Sequence, residues 1–235
     1  MTVMQNPFWF LNRYNTLSPK KWGFSSQIHL DMGCGNNPRN PFDAGILLGA
    51  DIMPNQLIST NVNFTYINVG LDGRLSLRNN SVDSISGYDF IEHLPRGATI
   101  ENNFFIKFMN EAYRILKLGG ILLLVTPAYP SPAAFQDPTH VNFITKDTVN
   151  YFAGANPYAK LLGYGFEGYF RLIHQSWVGP ISKVWETPTE QFQINKVYIW
   201  KLSLFIFINK LRSFISGVRK PTHLIWILQK ISPPT

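Results

Sequence analysis

The stretch Gln27 to Pro38, Gln-Ile-His-Leu-Asp-Met-Gly-Cys-Gly-Asn-Asn-Pro, constrains this chain more than any other. Its apolar run Ile28–Met32 stops abruptly at Gly33-Cys34-Gly35, the pattern of a buried strand that ends in a tight turn where the backbone approaches a ligand closely. A dinucleotide fingerprint would continue to a third glycine and a helix N-terminus that holds a pyrophosphate. Here Gly35 is followed by Asn36, Asn37 and Pro38, so the pyrophosphate reading fails.

The next apolar run, Gly45–Ile52, carries Asp51 near its end, placed to accept hydrogen bonds from the two hydroxyls of a ribose. A cofactor with a ribose and no diphosphate satisfies both observations, and S-adenosylmethionine is the common one. Further runs mark strands at Phe64–Leu71, Val82–Tyr88, Ile121–Thr126, Phe166–Val178 and Leu224–Ile231. Between the fourth and fifth strands, Phe104, Phe105, Phe108, Met109, Ala112, Tyr113, Ile115 and Leu116 form one helical stripe, which Gly119-Gly120 is expected to close. Thr145–Phe152 reads as a shorter helical segment.

Short apolar strands with crossovers imply an α/β fold with a largely parallel sheet covered on both faces, and the last two strands fit as an antiparallel pair. A single domain over residues 1–235 is expected, with a helical N-terminal segment in 1–26 and a helical insertion at 179–222 before the last strand.

The chain resembles the class I S-adenosylmethionine-dependent methyltransferases. The resemblance runs through Leu30-Asp31-Met32-Gly33-Cys34-Gly35, Gly49-Ala50-Asp51, Asn80-Ser81-Val82-Asp83-Ser84-Ile85, Phe90-Ile91-Glu92-His93-Leu94 and Glu111 to Gly120, in matching order and spacing. It implies a Rossmann-like, seven-stranded, mostly parallel sheet with a terminal antiparallel hairpin, and S-adenosylmethionine as cofactor. The binding set it implies is Asp31, Gly33, Cys34 and Gly35 at the methionine moiety, Asp51 and Ile52 at the ribose, and Asp89, Phe90 and His93 lining the pocket. For the adenine, Gly70, Leu71 and Asp72 offer alternative alignments. The segment around Asp137-Pro138-Thr139-His140 is similar to a loop found in a subgroup associated with sugar or polysaccharide modification.

Methyl transfer is an in-line displacement at an activated carbon, so a protein mainly aligns donor and acceptor and excludes water. A hydroxyl acceptor benefits from a general base, and His140 is the first candidate, His93 the second. The expected activity is methylation of a small-molecule or glycan-precursor acceptor at oxygen. Cys34, between two glycines, reads as a small buried side chain rather than a nucleophile. Glu92, His93, Asp137 and His140 could assemble a metal site, but no helical His-x-x-x-His and no cysteine pair supports it, and no metal is expected.

The lone cysteine excludes an internal disulfide and favours a reducing, cytoplasmic setting. Met1 to Trp9 has neither a basic n-region nor a long apolar core, so no secretory signal is expected. The formal charge is +7, and the chain from Lys196 onward contains no acidic residue. With the apolar run at 197–215, this keeps open a membrane-peripheral enzyme acting on a lipid-linked or isoprenoid acceptor. Nucleic acid is not an expected partner, because the positive charge is not interleaved through the acceptor loops. A non-catalytic cofactor-binding protein is the remaining alternative.

Overall fold

A computed structural model describes residues 27–35, 38–51, 64–66, 73–178 and 221–234. The helices expected in 1–26 and 197–215 lie outside the described residues, as do Ile52, Gly70, Leu71 and Asp72. Among the described residues seven strands form one sheet: β1 (Ile28–Met32), β2 (Ile46–Ala50), β3 (Phe64–Tyr66), β4 (Val82–Tyr88), β5 (Leu116–Pro127), β6 (Phe170–Val178) and β7 (His223–Lys230), in the order β3-β2-β1-β4-β5-β7-β6. Pairs from β3 through β5 are parallel, and β7 runs antiparallel to both its neighbours, β5 and β6.

The two strands at the centre of the β4–β6 half are apolar because both their faces are covered. Leu122, Leu124, Leu224, Trp226 and Leu228 are almost fully buried on one side of it, and Ile121, Leu123, Val125, Ile225 and Ile227 form a second cluster on the other. Each such side chain stabilises the fold by ~1.5–3 kcal/mol through removal from water.

Helix α1 (Phe104–Ile115) starts where Asn103 Oδ1 accepts from the backbone N–H groups of Phe105 and Ile106, at 3.0 and 3.2 Å. It buries Phe105, Phe108, Met109, Ala112 and Ile115, the 3.6-residue stripe legible in the sequence. Its end is held by Lys230, whose Nζ donates to the carbonyls of Tyr113 and Leu116 at 2.6 and 2.9 Å and to Asn80 Oδ1 at 2.7 Å.

Three boundaries differ from expectation. Gly119-Gly120 does not close the helix: β5 begins at Leu116, and the register with β4 shifts between Val82 and Ser84, so these glycines lie in the irregular start of a strand. A Cβ at Gly120 would stand 2.8 Å from the Lys117 carbonyl oxygen and 3.0 Å from that of Asp83. β6 starts at Phe170 rather than Phe166, whose ring instead packs on Phe152 and Phe170. The segment expected as a helix at 145–152 is a 3-10 turn, Thr148–Tyr151, because Thr148 Oγ1 accepts the Thr145 N–H and Thr145 O accepts the Thr148 N–H. β3 is described as Phe64–Tyr66, and the remainder of the expected run to Leu71 lies outside the described residues.

Candidate functional site

The carboxyl ends of β1 and β4 meet where the strand order turns back on itself, the position at which open α/β sheets bind ligands. After β1 the chain turns through Gly33 (φ 64°) and Gly35 (φ 53°), conformations open to glycine and strained for other residues. The N–H of Gly33 donates to Ala50 O at 2.8 Å, and that of Gly35 to Asp51 Oδ2 at 2.8 Å, so the turn is bolted to the end of β2. At Gly33 a Cβ would stand 2.8 Å from Phe90 Cδ2, whereas at Gly35 the same direction meets no atom within 4 Å. The turn is therefore closed on its Phe90 side, and no described atom crowds the Cβ direction at Gly35.

Two partners of this turn were not legible as site residues. Gly49 leaves room for Cys34: a Cβ at Gly49 would lie 2.8 Å from Cys34 Sγ. His29, fully buried in β1, bonds Ser84 Oγ through Nδ1 at 2.8 Å and Ser86 Oγ through Nε2 at 2.9 Å, and Ser86 Oγ donates to Asp31 Oδ1 at 2.5 Å. Because the Ser86 proton goes to Asp31, His29 Nε2 is the donor and Nδ1 accepts from Ser84. Burial holds the imidazole down to about 3, hence neutral, and pushes the Asp31 carboxyl up to about 6. The alternation of Ser84 and Ser86 on one face of β4 was the available signal.

Asp31 is fully buried, and its second oxygen accepts the Arg39 N–H at 2.8 Å, with the Arg39 guanidinium 3.9 Å away and stacked over Tyr88. It thus braces the turn from beneath. Asp89 follows β4 with φ 46°, donates its N–H to Val125 O at 2.9 Å, and stands 3.2 Å from His223 Nε2.

From Phe90 the chain enters a single 3-10 turn, Ile91–His93. Glu92 is 1% exposed, and burial lifts its carboxyl to about 8. Thr126 Oγ1 donates to its Oε2 at 2.9 Å, while Oε1 is buried without a hydrogen-bond partner among the described residues.

The loop after β5 is clamped onto this turn. Val141 and Asn142 donate their N–H groups to Glu92 O at 2.9 and 3.0 Å, and Asn142 Nδ2 donates to Ile91 O and Leu94 O at 2.8 and 2.6 Å. The clamp brings His140 against His93, ring centroids 4.7 Å apart. His140 Nδ1 donates to Ala134 O at 3.2 Å, since a carbonyl can only accept. Thr139 Oγ1 donates to Asp137 Oδ1 at 2.6 Å, leaving His93 Nδ1 as the donor to Thr139 Oγ1 at 2.9 Å. Both imidazoles therefore carry their lone pair on Nε2. The same loop carries an exposed aromatic row, Tyr129, Phe135 and Phe143, with Phe135 and Phe143 centroids 5.1 Å apart.

The structure thus brings Gly33, Cys34, Gly35 and Asp51 together, links Gly33 to Phe90, and unites His93 with His140. The residues fit an adenosyl cofactor: the left-handed glycines allow close approach of the backbone, and Asp51, bonded to the Gly35 N–H just past the end of β2, is a carboxylate, the acceptor type that ribose hydroxyls require.

No protein-family model and no curated protein matches the chain. Solved structures do. The [4+2]-cyclase SpnF is similar at 16% identity, over 88% of this chain and 75% of that one, with a TM-score of 0.50. S-adenosylmethionine-dependent methyltransferases of Mesorhizobium loti (14% identity, 87% and 90% covered, TM-score 0.47) and Archaeoglobus fulgidus (16%, 94% and 91%, 0.46) are also similar. At these identities the likeness is one of fold.

Proposed function

On a class I S-adenosylmethionine-dependent methyltransferase fold, we propose that this protein binds S-adenosylmethionine and methylates a hydroxyl oxygen of a small-molecule or glycan-precursor acceptor. The observation that carries the reading is the joining, through the single segment Phe90–His93, of a left-handed glycine turn to two imidazoles that both present an unprotonated Nε2. The turn Gly33–Gly35 and Asp51 would hold the cofactor, with Asp89 and Phe90 at its side.

The bound cofactor supplies a methyl carbon activated by its sulfonium. With that carbon held in line, His140 Nε2 would accept the proton of the acceptor hydroxyl whose oxygen is to be methylated. His93, backed by Thr139 and Asp137, orients the acceptor. The aromatic row of Tyr129, Phe135 and Phe143 supports an acceptor with a sugar or other apolar face. Among the described residues no helix is long and apolar enough to cross a membrane.

Calorimetric titration with S-adenosylmethionine tests the donor half, and no measurable heat of binding would sink it. For the acceptor half, His140→Ala is expected to abolish turnover of a hydroxyl-acceptor panel while keeping cofactor affinity. Full turnover in that variant would remove His140 from the chemistry.

A further inference from the structure

We infer that Glu92, His93 and His140 form a binding site for a divalent transition-metal cation. One ligand atom from each lies within 4.8 Å of the other two. The imidazoles carry their protons on Nδ1, which leaves each Nε2 able to ligate, and Glu92 keeps Oε1 without a hydrogen-bond partner among the described residues although the residue is 99% buried. Two imidazole lone pairs and a buried carboxyl oxygen with no partner among the described residues make a ligand set that a divalent cation would complete, displacing the carboxyl proton.

The surroundings are those of a metal site. Metal-bound histidines donate their second N–H to a carbonyl or carboxylate that fixes ring and tautomer. Here His140 Nδ1 donates to Ala134 O, and His93 Nδ1 reaches Asp137 through the Thr139 hydroxyl. Thr126 does the same for the carboxylate, donating to Glu92 Oε2. With bonds of ~2.1 Å, neighbouring ligand atoms stand ~3–3.5 Å apart, so the three side chains draw in by about 1 Å on binding. The Asn142 clamp holds the two backbone segments together while they do so.

Two imidazoles and one carboxylate select a first-row transition ion over calcium or magnesium and leave coordination positions open. Absence of a helical His-x-x-x-His therefore does not exclude a metal, since the ligands come from a 3-10 turn and a loop. With the ion bound both Nε2 lone pairs are engaged, so His140 would act as a base only in the ion-free protein; binding of the ion does not rest on the methyl-transfer reading.

The test is Co2+ binding to the full chain, freed of chelator and of any purification tag, followed by equilibrium dialysis and by visible absorption. One Co2+ per chain with a ligand-field spectrum is expected in the wild type. Binding should be lost in His140→Ala and in Glu92→Gln, and weakened ~10-fold or more in Thr139→Val, which touches no ion. Should Glu92→Gln fail to fold, His140→Ala, in a surface loop, still decides. No stoichiometric Co2+ in the wild type, or unchanged affinity in His140→Ala, overturns the inference. Cofactor binding without Co2+ sinks the metal site alone, and Co2+ binding without cofactor binding sinks the methyl-transfer reading alone.

Discussion

His29→Gln separates two titrations that oppose each other inside one buried hydrogen-bond chain. In the folded protein His29 titrates at about 3 and Asp31 at about 6, against ordinary values of 6.5 and 3.8. Between pH 6.5 and 3 the unfolded chain holds a proton on His29 that the folded one refuses. Falling pH therefore destabilises the fold through His29 by ~1.4 kcal/mol per pH unit, about 5 kcal/mol over the window. Asp31 has the opposite sign: between pH 6 and 3.8 the folded chain holds the extra proton, and stability rises by about 3 kcal/mol as pH falls. From pH 6 down to 4 the two slopes cancel, and the pair contributes a plateau. Glutamine at 29 removes the first slope alone. Its stability relative to wild type should climb by ~1.4 kcal/mol per unit below pH 6.5, reaching about 3 kcal/mol at pH 4. Any cost of replacing the imidazole shifts every pH equally and leaves that slope intact. Urea unfolding at half-unit intervals from pH 4 to 7, read by tryptophan fluorescence, supplies the measurement, since Trp226 is fully buried. A difference that does not change with pH would refute the buried neutral imidazole.

Gly49→Ala drives a methyl group against Cys34 Sγ, 2.8 Å from the new Cβ, and should lower stability by ~1–3 kcal/mol. Adding Cys34→Ala should restore most of it in a double-mutant cycle, and additive losses would show that the two do not touch. Lys230→Met keeps the aliphatic stem but strands the carbonyls of Tyr113 and Leu116 at the end of α1, an expected loss of ~2–4 kcal/mol in urea midpoint analysis. A loss below ~0.5 kcal/mol would mean that water replaces the ammonium.

What could be read from the sequence was local. The strand ending at Gly33 and the stripe of α1 each follow from a period within one segment, and the structure places both accordingly. Asp51 lies one residue past β2 and accepts the Gly35 N–H, and its role at a ribose belongs to the proposed function. The hydrogen-bond chain from Ser84 to Asp31 was hidden because it exists only once β1 and β4 pair in register, His29 opposite Ser84 and Asp31 opposite Ser86. Gly119-Gly120 was misassigned because a glycine pair after a helical stripe serves a cap and a strand irregularity equally well. In the sequence His93 and His140 stand as alternative bases, and together with Glu92 and Asp137 as conceivable metal ligands. Their meeting depends on Asn142 reaching Ile91 and Leu94, and their shared tautomer on Thr139 and Ala134, neither of which a sequence pattern encodes.

The placement of β7 between β5 and β6 bears on how the chain is made. A ribosome releases β6 well before β7, since residues 179–222 must be synthesised in between. Until His223–Lys230 emerge, one side of β5 and both sides of β6 expose unpaired backbone, and β6 borders no other described strand in the finished sheet. Nascent chains stalled in this interval present strand edges open to mispairing with one another, so yield of the protein should depend on elongation rate and on chaperones that mask those edges. A chain cut just before His223 is expected to aggregate rather than fold as a shorter domain, for it would lack the strand that locks Lys230 onto α1 and joins the two parts of the sheet.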